Sequence, residues 1–522
     1  MTDGARKAGA GPAAPASSFR SGPYPIALLG TVATAVFLRL AGLQPLQAEI
    51  YGDIVIVREY LDLIRAGEWP VHFQLGAGPL YHYLVMPVIA VAGPGYLGMK
   101  LASVFVSLGV LAATFAVARR LGGDVLALLS LFAAGVSSWL LIFSRLGNSQ
   151  IVVPFLATTS LWLLVRFVQE QRRRDLVLSA AVAALGLYGY PQSFILAPVM
   201  ALTLLGLRGA GHHLRWRDLG LFALTSALVA LPFGWIVGRD PSNFFSGYIG
   251  GKVTHSGEAL PLLLENVWKV VLSFHVRGDI VFRSNPTGLP HLDVVSGALF
   301  LLGIVYWLSP ERRRWSPAVF IPFVLQHVPS MLVLSSRVEA PSASRTLGAA
   351  PEAYLLVASG LLLLLDLVSP FRAARATLAV LLLVAVLGLN VRRYLVDYLP
   401  GLPYGNTPIA ALVSSYVNDL PPGTDVYLVG CCWQDGMPEP DGIAFGLDRP
   451  ERLHRLDPAM VSCTDLSRLP GPAVLIWTFE EPLPGPKLAP CASRLPAQLY
   501  QSPRGRPVFF AAPLLRAGSS SP

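Results

Sequence analysis

Between Ile26 and Asn390 this chain of 522 residues alternates long apolar runs with short polar stretches, and beyond that point the pattern changes. The runs fall near 26–43, 98–118, 124–142, 151–168, 176–190, 193–207, 219–237, 293–309, 316–334, 349–368 and 374–390. Each approaches the length of about 20 residues that carries a helix across a bilayer, so the pattern predicts about eleven transmembrane helices. The piece Tyr81–Val91, bounded by Gly78-Pro79 and Gly93-Pro94-Gly95, is too short to cross and reads as an interfacial or re-entrant helix. After Asn390 the signals shorten. They give a helix over Ile409–Leu420, a PPGTD turn, and strands at Val426–Gly430, Ala473–Phe479 and Pro507–Pro513. Apolar, β-rich segments among helix and turn signals predict a small α/β unit.

The fold class is therefore an all-α polytopic membrane protein with a small C-terminal α/β domain. Residues 1–25 form a disordered tail, 26–390 a transmembrane domain and 391–522 the α/β domain. Ile26–Leu43 follows no cleavable signal pattern and reads as a retained anchor. Arginine clusters at 119–120, 172–174, 208–217, 312–314 and 372–375 fall in alternate loops. Together with the basic tail they place those loops and the N-terminus in the cytoplasm. The first outer loop, 44–97, the large outer loop, 238–292, and the C-terminal domain are then extracytoplasmic.

Composition agrees. Hydrophobic residues make up 53% of the chain and charged residues 14%, with a mean hydropathy of +0.55. A soluble protein carries about 25% charged residues, so the deficit has to be lipid-facing surface. The net charge of +9 comes from the loop clusters that orient helices, not from a basic face with a nucleic-acid reader motif, which excludes nucleic acid as a partner. No GxxxxGK[ST] or Rossmann glycine pattern is present, which argues against a nucleotide-driven pump. All four cysteines, Cys431, Cys432, Cys463 and Cys491, lie in the C-terminal domain. Outside the cytoplasm they are disulfide candidates, the adjacent pair bonding Cys463 and Cys491 in one of two pairings that the sequence leaves open.

Candidate chemistry concentrates in the outer loops. Segment 49–80 holds Glu49 and Asp53 just after the first span, where charged groups are costly unless they have a role. Ile54, Val57, Leu61 and Ile64 recur at helical spacing, which predicts an amphipathic helix on the membrane surface. If that helix extends back through Gly52, Glu49 and Asp53 share a face and can hold an acceptor hydroxyl, take its proton or share a divalent cation. The plainer alternative makes Asp53 a helix N-cap with Glu49 in solvent. Arg145, Asn148 and Gln150 in FSRLGNSQ suit a phosphate or sugar hydroxyls. Arg277 and Asp279 lie in a loop suited to cover an anionic lipid head, and Arg345 sits at the outer end of a span, where a lipid phosphate would lie. For Arg145 and Arg345 the alternative is a snorkelling side chain, and for the Arg277–Asp279 stretch a solvated loop.

These segments, in this order and spacing, resemble a family. RLAGLQPL, EIYGD, VREYLDLIRAGEWPVHF, AGPLYHYL, AVARRLGG, FSRLGNSQIVVPFLATTSLWLLVR, ALGLYGYPQSFILAP and SASRTLGAAPEAYLL run from Arg39 to Val368. Together they resemble the bacterial members of the GT-C glycosyltransferase superfamily, of the protein-mannosyltransferase and aminoarabinose-transferase type, glycosyltransferase family 39-like. The resemblance implies many spans and a first outer loop of interfacial helices. It also implies a polyprenyl-phosphate-sugar donor, an extracytoplasmic glycan, lipid or protein as acceptor, and inversion at the anomeric carbon. Family members carry an Asp-Glu pair early in the first outer loop. Here Ala48-Glu49 and then Asp53 stand there, which makes Glu49 and Asp53 the expected catalytic carboxylates. Relatives have an acidic residue after the third span; this chain has Asn148 and Gln150. Arg145 and Arg345 are the expected donor-phosphate contacts. The reading set against the enzyme is a transporter or flippase of lipid-linked glycans, or a degenerate scaffold.

Overall fold

A helix covers each of the eleven apolar runs in the computed structural model of the chain. The structure describes residues 24–50, 52–73, 78–242, 248–253, 259–368, 371–402, 405–429, 440–457, 462–467, 472–479, 487–488 and 496–514. Among these, six helices are long and apolar enough to cross a membrane: Tyr96–Val136, Ser149–Glu170, Pro191–Gly209, Trp216–Arg239, Leu347–Val368 and Arg372–Gly401. The first of them is 41 residues long, roughly 60 Å at 1.5 Å per residue and about twice a bilayer core. It is broken at Gly123, whose φ of 83° only glycine adopts without strain, so it carries the run at 98–118 and most of that at 124–142 as two rods, helix Ser138–Ser144 completing the second. Shorter apolar helices, Tyr24–Leu40 and Val294–Leu308 among them, cover other runs. Helix Leu80–Ala92 has 13 residues with Pro87 inside it, about 20 Å of helix and less than a bilayer core.

The chain divides into two compact units. The first comprises residues 1–41, 69–91 and 100–395 and contains the helical bundle. Glycines let two of its helices approach closely. A Cβ at Gly303 would lie 1.9 Å from the Leu356 carbonyl oxygen, and one at Gly360 would lie 1.8 Å from that of Leu299. Backbones of Val294–Leu308 and Ala350–Val368 meet there, which small residues permit. Asp293 caps the first of these helices by accepting from the amides of Val295 and Ser296. It also accepts from Asn390 Nδ2 (2.8 Å), while Asn390 Oδ1 accepts from the Ser138 amide (2.9 Å). One buried polar chain thus joins three helices.

The second unit comprises residues 42–68, 92–99 and 396–522. Its centre is a five-stranded sheet of order β2-β1-β3-β5-β4, with β1 Asp425–Val429, β2 Leu453–Leu456, β3 Ala473–Thr478, β4 Gln498–Gln501 and β5 Pro507–Leu514. β1 is parallel to β2 and β3, whereas β5 is antiparallel to β3 and β4. One face packs Val426, Leu428, Ile476 and Val508 on helix Ile409–Asn418 through Ile409 and Val413. The other face buries Tyr427, Leu475, Trp477 and Leu488. The expected strands are present. β2 and β4, short and half polar, are additional.

Unit boundaries differ from the domain limits read in the sequence, because the segment 44–97 divides between both units. Helix Gly52–Arg65 buries Ile54, Val57, Leu61 and Ile64, the stripe its periodicity predicts. Protein covers that stripe, not a membrane surface. Helix Pro440–Phe445 packs against it, and the Arg58 guanidinium lies 5.0 Å from the Phe445 ring centre. Periodicity identifies a buried face but does not say what buries it.

Candidate functional site

Lys252 and Arg345, on separate segments of the first unit, are brought to one carboxylate. Lys252 Nζ donates to Glu339 Oε1 (2.6 Å) and Arg345 NH2 donates to Glu339 Oε2 (2.7 Å). Arg345 NH1 also donates to the Glu339 carbonyl (3.2 Å). Burial on its own raises the Glu339 carboxyl, but the two cations outweigh it and hold the group below the usual range. Both cations line a cavity of about 180 Å³ whose other walls include Phe194, Ile195, Val328, Leu332 and Val333. The two cations and the carboxylate they share thus stand beside a chamber whose walls are largely apolar. Such a place suits an amphiphile with one anionic phosphate.

Local sequence explains the chamber. Pro191 opens a short 3-10 turn that runs into helix Leu196–Gly209 and presents Phe194 and Ile195. Pro329 stands at the start of the turn Val328–Met331. The loop that follows, 332–346, is fixed from below by Asp279. This carboxylate is 1% exposed and accepts from the amides of Val281 (2.8 Å) and Ala343 (2.7 Å). Burial raises its pKa to about 6 against the opposing effect of those amides and of Arg345. Asn285 closes the segment 279–289 that carries Asp279 by donating to the carbonyls of Asp279 and Leu289. Asp279 thus holds the loop that carries Glu339 and Arg345. Arg277, two residues away, is exposed and stands outside this arrangement.

Arg145, Asn148 and Gln150 lie together elsewhere in the first unit and are buried. Arg145 donates through NH1 to the Leu38 carbonyl (2.5 Å) and through NH2 to that of Ala41 (2.8 Å). Its guanidinium caps the C-terminal end of helix Tyr24–Leu40, where carbonyls lack partners. Ser103 donates to the Asn148 carbonyl (3.3 Å), and Gln150 Nε2 donates to the Tyr190 hydroxyl (3.3 Å). The sequence marks this cluster as polar; the structure gives Arg145 partners within its own fold.

Glu49 and Asp53 belong to the second unit and do not share a helical face. The helix starts at Gly52, so Glu49 precedes it and the i,i+4 geometry does not arise. Glu49 is 2% exposed. Its Oε2 accepts from the amides of Ile409 (2.5 Å) and Ala410 (3.4 Å), and its Oε1 from that of Ile50 (3.1 Å). Burial is the largest influence on its carboxyl and pushes the pKa up to about 7 against the pull of those amides. Asp53 lies exposed in the first helical turn. Lys252 and Glu339 were not among the residues singled out in the sequence. Two lysines in the segment 238–292, Lys252 and Lys269, are the available signal.

Cys463 is disulfide-bonded; Cys431, Cys432 and Cys491 lie outside the described residues. Among the described residues, no group of three or more His, Cys, Asp or Glu side chains is arranged to hold a metal ion.

Residues 77–236 match the family described as dolichyl-phosphate-mannose-protein mannosyltransferase. No curated protein sequence matches the chain significantly. Among solved structures, the chain is similar to ArnT from Cupriavidus metallidurans bound to undecaprenyl phosphate, with a TM-score of 0.61 at 14% identity. That match covers 95% of this chain and 99% of the other. The apo ArnT structure gives a TM-score of 0.59 at 14% identity, covering 94% and 98%. The oligosaccharyltransferase AglB from Archaeoglobus fulgidus, in complex with an inhibitory peptide and a dolichol-phosphate, gives 0.53 at 13% identity, covering 94% of this chain and 74% of the other. At such identities the likeness is one of fold. The chain thus has the fold of these GT-C proteins over nearly its whole length and resembles the protein-mannosyltransferase and ArnT type, as its sequence motifs imply.

Proposed function

We propose that the protein is a multi-pass glycosyltransferase of about eleven crossings in a bacterial inner membrane. It moves a sugar from a polyprenyl-phosphate donor to a glycan, lipid or protein outside the cytoplasm. The observation that carries this reading is the pair Lys252 and Arg345 on an apolar cavity, within a fold shared with a protein bound to undecaprenyl phosphate. Lys252 and Arg345 contact the donor phosphate, and the cavity takes the first prenyl carbons. As the acceptor oxygen forms its bond to the anomeric carbon, the bond from that carbon to the phosphate oxygen breaks. Negative charge then grows on the departing polyprenyl phosphate, where fixed cations stabilise it. The hydroxyl proton goes to a carboxylate. Asp53, the exposed member of the pair read in the sequence, is assigned that role, and Asp279 is a positioning residue for Arg345.

A second reading has its own support. Glu49, which fits the family register best, has its carboxylate occupied by backbone amides, as a scaffold without transferase activity would permit. Purified protein in nanodiscs, given undecaprenyl-phosphate sugars with magnesium or with EDTA, separates the two. Transfer that falls at least about 100-fold in Asp53→Asn, the loss of a general base, supports the enzyme. Absence of transfer from every donor supports the scaffold.

A further inference from the structure

Glu49 joins segments of the second unit that lie 360 positions apart in sequence. Helix Ile409–Asn418 starts after Pro408, which supplies no side-chain cap. Its first amides would be orphaned in a buried setting, and the Glu49 carboxylate accepts from two of them. Neighbouring contacts run between the same two segments. Gln47 Nε2 donates to the Tyr398 hydroxyl (2.9 Å), the Ala48 amide donates to Asn406 Oδ1 (2.9 Å), and Asn406 Nδ2 donates to the Pro45 carbonyl (3.0 Å). Tyr96 adds a hydroxyl that donates to the carbonyls of Gln47 (3.1 Å) and Glu49 (3.3 Å). Gln47 and Asn406 both hold positive φ, 52° and 66°. Such conformations persist where surrounding contacts over-determine them.

We propose that Glu49 is a clasp: it seats the loop that bears Asp53 on the C-terminal domain and takes no part in proton transfer. The C-terminal domain is then the platform that shapes the first loop, and Glu49 a positioning residue. The transfer arm of the test rests on the glycosyltransferase reading; the structural arm does not.

Hydrogen–deuterium exchange of the full chain in nanodiscs supplies the structural arm. Glu49→Ala speeds exchange together in 409–413 and in 54–64, by roughly tenfold or more, the scale of a lost N-cap. Glu49→Gln, whose amide oxygen still accepts, keeps protection within about threefold of wild type. Asn406→Ala, which removes a different contact of the same junction, loosens both segments as well and decides the matter if Glu49→Ala does not fold. Faster exchange confined to 409–413, or none in either segment, overturns the clasp. In the transfer arm, Glu49→Gln retains most activity because a clasp needs an acceptor and not a base. Protection kept with transfer abolished overturns the proposal. If wild type transfers nothing, the enzyme reading fails and the exchange result alone decides the clasp.

Discussion

Replacing Glu49 by glutamine has a consequence for stability whose sign can be worked out. The carboxyl is pushed from 4.5 to about 7, chiefly by burial, and the amides of Ile50, Ala410 and Ile409 pull the other way. No charged side chain contributes to the shift; the titratable neighbour on the packed 92–99 segment is Tyr96, which reaches the Glu49 carbonyl. Between pH 4.5 and 7 the folded protein therefore holds a proton that the unfolded chain has released. Stability from this group is complete below the unfolded value and is lost as pH rises through about 7. At ~1.4 kcal/mol per pH unit the loss approaches about 3 kcal/mol. Glutamine, neutral throughout, does not suffer it. Thermal unfolding of wild type and Glu49→Gln, followed by exchange protection in helix Ile409–Asn418 from pH 5 to 8, gives the comparison. Wild type falls relative to the variant by about 5–10 °C across that range, taking roughly 2–4 °C per kcal/mol for a unit of this size. Parallel curves would refute the reasoning, because they mean that the buried carboxyl titrates like an exposed one.

Arg345→Ala leaves the cavity without its arginine, and its expected effect is a 10- to 100-fold rise in KM for the lipid donor (about 1.5–3 kcal/mol for a charged hydrogen bond), read in initial rates. Asp279→Ala orphans the buried amides of Val281 and Ala343. It should lower stability by about 2–4 kcal/mol and raise donor KM in parallel; unchanged KM would detach Asp279 from the site. Gly360→Val places side-chain atoms where a Cβ alone would lie 1.8 Å from the Leu299 carbonyl oxygen, and is expected to abolish stable expression of the bundle in membranes, whereas Gly388→Val, with open space around it, is tolerated.

Much of the bundle is legible from hydrophobic run length, because a spanning helix must satisfy its backbone internally and advertise an apolar surface. The break at Gly123 falls where Arg119, Arg120 and Gly122-Gly123 separate two apolar runs. Three strands of the sheet carry largely apolar residues, but β2, Leu453–Leu456, holds the adjacent His454 and Arg455 between its leucines and lies at the sheet edge, where its signal is lost. Polar residues between apolar runs are easy to find; their partners are not. Arg145 looks like an anion site until the chain folds back and gives it the carbonyls of Leu38 and Ala41. Glu49 looks like a base until helix Ile409–Asn418 reaches it from the far end of the sequence. Arg345 stands out in both readings, yet Lys252 and Glu339 join it only through three-dimensional proximity.

The most direct test of the account is a cryo-electron microscopy reconstruction of the full chain in nanodiscs saturated with undecaprenyl phosphate. The account predicts phosphate density about 3 Å from Arg345 and Lys252, the reach of a charge-assisted hydrogen bond, with prenyl density continuing between Phe194 and Leu332. Lipid phosphate ordered elsewhere, with that cavity empty at saturation, would contradict it.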